Sequence, residues 1–244
     1  MIFQARASST PRSSDKLGSV IDCGNDMAMN CIVTAGPTYE NLDQVRRLTN
    51  FSTGRLGTEL ANYLTEQGHA VTMLIGAEAN YSGKRKAQRV ETFTTTADLH
   101  DRLQAQSGPS VQAVFHAAAV SDFTFGKIFT RSSQGKLTAV KSGKLSTRQG
   151  TLLAELTPTP KIIASLRSWF PQARLVGWKY EVDGNRETVL AAAQRQLQEC
   201  LTDICVANGP AYGVGFSLVT ANGKSRHVPG PAKLFEALEK MLKL

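Results

Sequence analysis

A loop of hydroxyl-bearing and small residues comes directly before the first helical pattern of the chain. Ser52, Thr53 and Gly54 lie where the backbone N–H groups of a helix N-terminus point outward, which is a site for an anion. Small residues let a phosphate approach the backbone, and the hydroxyls add hydrogen-bond donors. The same residues are also typical of a plain capping turn with Ser52 or Thr53 as the N-cap. Spacing alone leaves both interpretations open.

A second run of small residues, at positions 117–122, ends in a carboxylate. Its alanines, among them Ala117 and Ala118, leave room for a flat ring against the backbone. The carboxylate of Asp122 suits a ribose hydroxyl or a magnesium ion, which prefers oxygen ligands. The alternative is a loop aspartate that caps a turn.

A basic segment follows at residues 136–148, and its cations are Lys136, Lys141, Lys144 and Arg148. Such an arm can fold over phosphates, where an ammonium group offsets the charge that develops during transfer. The alternative is a solvated surface. Residues 84–86 with Arg89 form another basic cluster, but no aromatic residues are interleaved with it. We interpret that cluster as surface and expect no nucleic acid partner.

Several familiar signatures are missing from the sequence. Neither GxGxxG nor GxxxxGK[ST] occurs, and no tyrosine is followed by lysine four positions later, as a short-chain dehydrogenase requires. A standard nicotinamide enzyme is therefore disfavoured. The four histidines fall in no ligand spacing, and the four cysteines form no CxxC pair, which argues against a zinc site.

The composition is that of a folded protein. The chain has 244 residues, of which 41% are hydrophobic, too many for a disordered chain. No run approaches the roughly 18 apolar residues that a membrane span needs, so we expect no membrane partner. The few scattered cysteines suggest the reducing cytoplasm. The net charge of +8 suits an anionic partner.

The elements that must position these loops alternate between buried strands and helical patterns. Residues 1–28 lack a sustained apolar period and are predicted to be a disordered leader, with a single domain at 29–244. Strands are predicted at 31–35, 70–75, 111–120, 174–178 and 203–207, and helices at 56–67, 161–170, 187–201 and 232–244, with a further helix opening at Thr96 as N-cap. Residues 136–141 and 151–156 are predicted to be the two strands of a β-ribbon, and 216–220 and 226–228 to form a hairpin.

This alternation predicts an α/β fold, a Rossmann-like doubly wound and mostly parallel sheet with a β-ribbon arm. Ligands of such sheets bind at the carboxyl ends of the strands, where the strand order reverses. The loops after Ala35, Val120, Trp178 and Ala207 are therefore the places where chemistry is expected.

The motifs in these loops resemble the phosphopantothenoylcysteine synthetase family. Residues 34–57 contain Thr-Ala-Gly-Pro-Thr, Asp-Gln-Val-Arg and Asn-Phe-Ser-Thr-Gly-Arg-Leu-Gly. Further matches follow in order: Ala-Ala-Ala-Val-Ser-Asp-Phe at 117–123, Gly-Lys-Leu-Ser at 143–146, Thr-Pro-Thr-Pro-Lys-Ile-Ile at 157–163, and Asp-Ile-Cys-Val-Ala-Asn at 203–208. Each motif is weak alone, but five in sequence are specific.

The resemblance implies a ligase of coenzyme A biosynthesis that joins the carboxylate of 4′-phosphopantothenate to the amine of cysteine. A nucleoside triphosphate, CTP in most bacteria and ATP in eukaryotes, first activates the carboxylate as an acyl-nucleotidylate with loss of pyrophosphate. Cysteine then displaces the nucleoside monophosphate. Mg²⁺ and a homodimer are implied as well.

Site residues follow from the same resemblance. Asn50 matches the asparagine associated with the acyl-nucleotidylate and its breakdown by cysteine, and Lys144 matches the lysine over the triphosphate. Together with Ser52, Thr53 and Gly54, the implied nucleotide contacts are Ala117, Ala118, Asp122, Lys144, Pro160, Lys161, Ile162, Ile163 and Trp178. From its carboxylate, Asp122 is also the residue that we expect to bind a metal ion.

Departures from the family pattern leave the nucleotide open. Lys161 reverses the charge of the usual Asn-Pro-Asp, and the helix that contains Gln196 and Cys200 lacks lysines that bacterial members carry. Many bacterial members are fused behind a flavin-dependent decarboxylase. Only about 30 residues precede the first strand here, so we expect neither that half nor FMN. The alternatives are an NADP-binding Rossmann-type oxidoreductase and a catalytically silent nucleotide-binding module.

Overall fold

A large central sheet organises the chain, as described by a computed structural model over residues 28–242. Its eight strands are β1 (Asn30–Ala35), β4 (Ala70–Gly76), β5 (Arg89–Phe93), β6 (Ala113–His116), β10 (Arg174–Tyr180), β11 (Ile204–Asn208), β12 (Phe216–Thr220) and β13 (Ser225–Val228). A two-stranded sheet consists of β2 (Tyr39–Asn41) and β3 (Arg47–Thr49). A three-stranded sheet consists of β7 (Phe123–Arg131), β8 (Leu137–Ala139) and β9 (Leu152–Pro158). The helices are α1 (Arg55–Glu66), α2 (Thr96–Ala105), α3 (Ile162–Trp169), α4 (Arg186–Cys200) and α5 (Pro231–Leu242).

The strand order confirms the doubly wound α/β sheet. Strands β5, β4, β1, β6, β10 and β11 lie side by side in parallel, and β12 and β13 continue the sheet antiparallel. The chain moves outward from β1 to β4 and β5, then returns to β6 on the other side of β1. The strand order therefore reverses between β1 and β6, where open α/β sheets bind ligands.

Helices cover both faces of this sheet, because its parallel strands are apolar on both sides. On one face α1 and α5 pack over Val33, Phe115 and Val206. On the other face α2 and α3 pack over Ile32 and Val114, and α4 covers β11 and β12. In the described part of the chain, no helix is long and apolar enough to cross a membrane. Its three cysteines are buried free thiols.

The predicted β-ribbon is wrong in its pairing. Strands β8 and β9 do not pair with each other, because both pair antiparallel with β7, a strand that the sequence analysis missed. The register of β7 and β9 shifts between Phe125 and Ile128. We call this three-stranded unit, residues 123–158, the arm. It carries six Lys and Arg residues and one carboxylate.

Other boundaries also differ from the sequence-based prediction. The strand expected at 111–120 stops at His116, because the alanines beyond it pair with the loop after β1. The side chain of Thr95, one position earlier than predicted, caps α2 by accepting from the N–H of Asp98. Strand β5 and the β2–β3 hairpin were not predicted. The predicted leader lies outside the described residues, apart from Ala28.

Candidate functional site

The loops that follow β1 and β6 are joined at the point where the strand order reverses. The N–H of Ala119 donates to the oxygen of Gly36 (2.9 Å), and the N–H of Thr38 donates to the oxygen of Ala119 (3.1 Å). The N–H of Ser121 donates to the hydroxyl of Thr38 (2.8 Å). These bonds extend the sheet by one bridge and fix both loops at its carboxyl edge.

Asn50 reaches this junction from the end of the β2–β3 hairpin. Its Nδ2 donates to the oxygen of Ala119 (3.1 Å), which orients the amide next to the predicted Ala117 and Ala118. Asn50 is exposed, so the amide is accessible to a ligand. The structure thus brings the predicted asparagine and the predicted alanines together, although about 70 positions separate them in the sequence.

Thr38, which the sequence analysis missed, connects four segments behind the junction. It is fully buried; its carbonyl accepts from the hydroxyl of Thr49 (2.9 Å), and its hydroxyl accepts from that of Thr96 on α2 (3.3 Å). Its N–H and hydroxyl hold the β6 loop, as described above. A buried hydroxyl with several partners stabilises one arrangement of the loops, because leaving those partners unpaired is costly. Only its place directly after Gly36-Pro37 marked it in the sequence.

Glycines form the floor of the site where α1 begins. Gly54 is the N-cap, with a left-handed φ of 79°, and the hydroxyl of the preceding Thr53 accepts from the N–H of Arg55 (3.2 Å). A Cβ atom at Gly54 would lie 2.9 Å from that of Ala79, and one at Gly36 would lie 2.7 Å from the same atom. The predictions of Ser52 or Thr53 as N-cap are therefore wrong. An anion at this helix start stays one of the two interpretations of residues 52–54.

A buried polar pair supports the alanines from below. Oγ1 of Thr34 on β1 lies 3.0 Å from Nδ1 of His116 and accepts from the N–H of Ala118 (3.1 Å). Burial lowers the pKa of His116 to about 4, since the charged imidazolium would lose its hydration. His116 is therefore neutral at neutral pH and acts as a support for the loop.

Asp122 lies beside the predicted Pro160 segment. The N–H of Thr159 donates to the backbone oxygen of Asp122 (3.0 Å), and the Thr159 hydroxyl donates to the oxygen of Ser121 (2.6 Å). The carboxylate of Asp122 is exposed. Among residues 28–242 no group of three or more His, Cys, Asp or Glu side chains is placed to hold a metal ion. Asp122 would therefore be a single protein ligand beside phosphate oxygens, an arrangement that suits Mg²⁺.

The residues after Pro160 contribute backbone and charge. Ile162 and Ile163 are buried in the core, so only their backbone N–H groups, at the start of α3, are available to a ligand. Lys161 lines a cavity of about 320 Å³ and is 3.9 Å from a carboxylate oxygen of Glu199. Other cations that line the same cavity are Lys179 and Arg195.

Trp178 lies on the opposite face of the sheet from Lys161. Its ring packs against the α1–α5 side of the core, and its buried Nε1 has no hydrogen-bond partner. The buried Oδ1 of Asn208, on the neighbouring strand, also has none. The predicted nucleotide residues thus surround the carboxyl edge of the sheet from both faces.

Lys144 lies in the loop between β8 and β9. The residues beside it are hydrogen-bonded to the tip of the β2–β3 hairpin: the N–H of Gln44 donates to the oxygen of Gly143 (3.0 Å), and the N–H of Leu145 donates to Oδ2 of Asp43 (3.1 Å). Asn50 lies at the other end of that hairpin. Lys144 itself is exposed. The expected flexible arm is therefore attached at this loop.

Comparison with known proteins identifies the family. Residues 27–228 match the DNA/pantothenate metabolism flavoprotein C-terminal domain. The coenzyme A biosynthesis bifunctional protein CoaBC of Thermococcus kodakarensis is 31% identical over 221 residues, which are 86% of this chain and 51% of that protein. The protein of the same name from Bacillus subtilis is 28% identical over 87% of this chain and 51% of its own length. The chain thus spans about half the length of these curated relatives.

Solved structures share the fold. The DNA/pantothenate metabolism flavoprotein from Streptococcus pneumoniae superposes with a TM-score of 0.76 at 26% identity, covering 88% of this chain and 99% of that one. A Cab2 variant in complex with phosphopantothenate-cysteine superposes with a TM-score of 0.63 at 18% identity, covering 88% and 85% of the two chains. The likeness to Cab2 concerns the fold alone.

Proposed function

The chain belongs to the family of the DNA/pantothenate metabolism flavoprotein C-terminal domain, and from this membership we propose that it is a nucleotide-dependent phosphopantothenate–cysteine ligase. Its relatives are coenzyme A biosynthesis proteins. In the proposed reaction the carboxylate of 4′-phosphopantothenate attacks the α-phosphorus of a nucleoside triphosphate, and pyrophosphate leaves. The amine of cysteine then attacks the acyl carbon, and the nucleoside monophosphate leaves.

The observation that carries this proposal is the bond from Asn50 to Ala119. It places an exposed amide between the N-terminus of α1 and the loop after β6, at the reversal of the strand order. An amide both donates and accepts without carrying charge, so it can orient a mixed anhydride beside a phosphate. No general base is needed for the first step, because the attacking carboxylate is already ionised.

The remaining residues supply charge and shape. The start of α1 suits a phosphate group, and Ala117 and Ala118 leave room for a base or ribose. Asp122 would hold Mg²⁺ together with phosphate oxygens; when bound, that ion offsets the repulsion between the carboxylate and the triphosphate. We also propose that Lys144 contributes positive charge toward the leaving pyrophosphate, with the other cations of the arm.

The nucleotide is CTP or ATP, and we leave the choice to experiment. The helix lysines that bacterial members carry are replaced here, among others by Gln196, which is buried and donates to Sγ of Cys205 (3.4 Å). Arg195, Lys161 and Lys179 still supply three cations around the adjacent cavity. Glu199 and Glu181, the latter 3.0 Å from Lys179, also line this cavity, so its lining cations exceed its carboxylates by one.

We further propose a homodimer, because several large apolar side chains of the hairpin region and the arm are exposed. Val45 and Leu48 of the hairpin region are 62% and 45% exposed, and the arm exposes Phe123, Leu137 and Leu156. We propose that a second copy of the chain covers these apolar side chains. Light scattering of the purified protein tests whether it is a dimer. We also expect the protein to reside in the cytoplasm, where the pathway operates.

One assay tests the proposed function. Pyrophosphate release is measured with CTP or ATP, phosphopantothenate and cysteine, and with each omitted in turn. Release that requires a nucleotide and phosphopantothenate, with product formation that requires cysteine, is the expected result. NADP-dependent oxidation without pyrophosphate would favour the oxidoreductase instead. Nucleotide binding without turnover would favour the silent module.

A further inference from the structure

A buried carboxylate lies in the turn of the β2–β3 hairpin. The side chain of Asp43 is only 1% exposed. Its Oδ1 accepts from the N–H groups of Val45 (2.9 Å) and Arg46 (2.8 Å), and its Oδ2 accepts from the guanidinium of Arg46 through Nε (3.1 Å) and Nη2 (2.5 Å). These bonds shape the turn and neutralise the carboxylate.

The same carboxylate also reaches across to the arm. Oδ2 of Asp43 accepts from the N–H of Leu145 (3.1 Å), while Nη2 of Arg46 donates to the oxygen of Leu145 (2.7 Å). On the other side of Lys144, the oxygen of Gly143 accepts from the N–H of Gln44. Leu145 itself is buried. The backbone on both sides of Lys144 is therefore hydrogen-bonded to the hairpin, while Lys144 itself is exposed.

The other end of the hairpin is fixed to the site. Thr49 donates to Thr38, and Asn50 donates to Ala119. The short strands β2 and β3 pair in register between these two ends. The hairpin thus connects the loop of Lys144 to the loop of Asn50 through a continuous set of hydrogen bonds.

We propose that Asp43 is a positioning residue for the ligase reaction, because it holds the loop of Lys144 in a fixed place relative to Asn50. This inference rests on the proposed function. Asn in place of Asp43 keeps an oxygen for the turn, but its NH₂ group would face the donors of Leu145 and Arg46. A donor cannot accept from donors, so the bond to the arm is lost while the turn is retained.

The test uses Asp43→Asn with Asp101→Asn as the matched control, since the Asp101 side chain is 78% exposed on α2. Hydrogen exchange of the Leu145 amide is measured without ligand, and kcat and KM are measured from pyrophosphate release. We expect exchange at Leu145 to become about tenfold faster in Asp43→Asn, and kcat to fall by about the factor that Lys144→Ala produces. The Asp101 variant is expected to match the parent protein in both measurements.

A double mutant separates positioning from stability. If Asp43 acts through Lys144, Asp43→Asn combined with Lys144→Ala should be within about twofold of Lys144→Ala alone, because coupled residues are not additive. The proposal would be overturned if the effects of the two substitutions on kcat multiply in the double mutant. It would also be overturned if Asp43→Asn keeps a parent-like kcat although its Leu145 amide exchanges fast. Should Asp43→Asn not fold, Asp43→Ser retains a turn-compatible acceptor that is too short to reach the arm.

The two proposals fail in different ways. If the parent protein releases no pyrophosphate under any combination of substrates, the proposed function is wrong. The exchange rate of the Leu145 amide and calorimetric titration with CTP and ATP then test the positioning role of Asp43. Nucleotide affinity that falls equally in Asp43→Asn and Lys144→Ala supports the positioning role, and parent-like affinity contradicts it.

Discussion

A Cβ atom on Gly54 would lie 3.4 Å from the Cα of Gly36, although the whole β2–β3 hairpin separates the two glycines in the chain. Gly57, three positions after Gly54, packs against Ala35 of β1, where a Cβ would lie only 2.6 Å from the Ala35 Cβ. A tight turn after the first strand and close helix–strand packing are two of the three glycine functions of a dinucleotide fingerprint. This chain provides both, at Gly36 and at Gly57, with a hairpin inserted between them.

The contact at Gly54 predicts a loss of stability when a methyl group is added. In Gly54→Ala, the left-handed φ strains the alanine and its Cβ meets Ala79, so we expect a loss of about 2 kcal/mol or more in the free energy of unfolding. Gly68→Ala is the matched control, because Gly68 has a φ of 90° and open space around it. The difference between their urea midpoints isolates the contact; equal midpoints would contradict it.

Asn50→Asp is expected to slow the second half of the proposed reaction. A carboxylate cannot donate to the oxygen of Ala119, and its charge would lie beside an anionic intermediate. We expect some acyl-nucleotidylate to form but to pass slowly to cysteine. Quenching followed by mass spectrometry, with and without cysteine, detects it. Asn222→Asp in the β12–β13 turn is the control, and a parent-like rate for Asn50→Asp would make Asn50 only a turn residue.

Lys144→Ala is expected to lower the activation step by at least about tenfold while leaving the fold intact, since one charge is removed from an exposed side chain. Pyrophosphate release measures the effect, and circular dichroism checks the fold. The control is Lys141→Ala, an exposed lysine of the same arm. The same loss of pyrophosphate release in both variants would indicate that the total positive charge of the arm matters rather than Lys144 in particular. No loss in either variant would show that Lys144 is not part of the site.

The buried His116 predicts an acid-sensitive fold. Its pKa is about 4 in the folded state, against 6.5 for the free side chain. Below pH 6.5 the unfolded chain binds a proton that the folded protein does not, so the free energy of unfolding should fall as pH decreases from 6.5 to about 4, at about 1.4 kcal/mol per pH unit. Urea unfolding at each pH measures this slope.

Two variants test whether His116 causes this dependence of the free energy of unfolding on pH. His116→Gln should remove it, although the variant is expected to be less stable at every pH because Thr34 loses a partner. His100→Gln, on the half-exposed surface of α2, should retain it. The carboxylate of Asp43 affects stability in a lower pH range. The Arg46 guanidinium and backbone donors hold its pKa below the usual value, so its stabilisation of the fold is lost only as pH falls below about 4. A slope that persists in His116→Gln would contradict the assignment.

The sequence determined the elements whose pattern is local. Strands β1 and β4 are short apolar runs, α1 shows an apolar period of 3.6 residues followed by Gly68, and Asn222-Gly223 marks the β12–β13 hairpin. Buried parallel strands and amphipathic helices have these signatures because burial selects apolar residues at a fixed spacing. The doubly wound sheet, and the loops in which the site lies, follow from their alternation.

Only the tertiary structure decided which segments meet. Strand β7 was missed because Gly126 and a register shift interrupt its alternation and none of its residues is buried, so burial imprints no period on it. The bonds from Asp43 to Leu145 and from Asn50 to Ala119 join residues far apart in the chain, and one polar side chain carries no signal about its distant partner. Pairing is a property of the whole fold, because each donor takes its acceptor from the segments that core packing brings together.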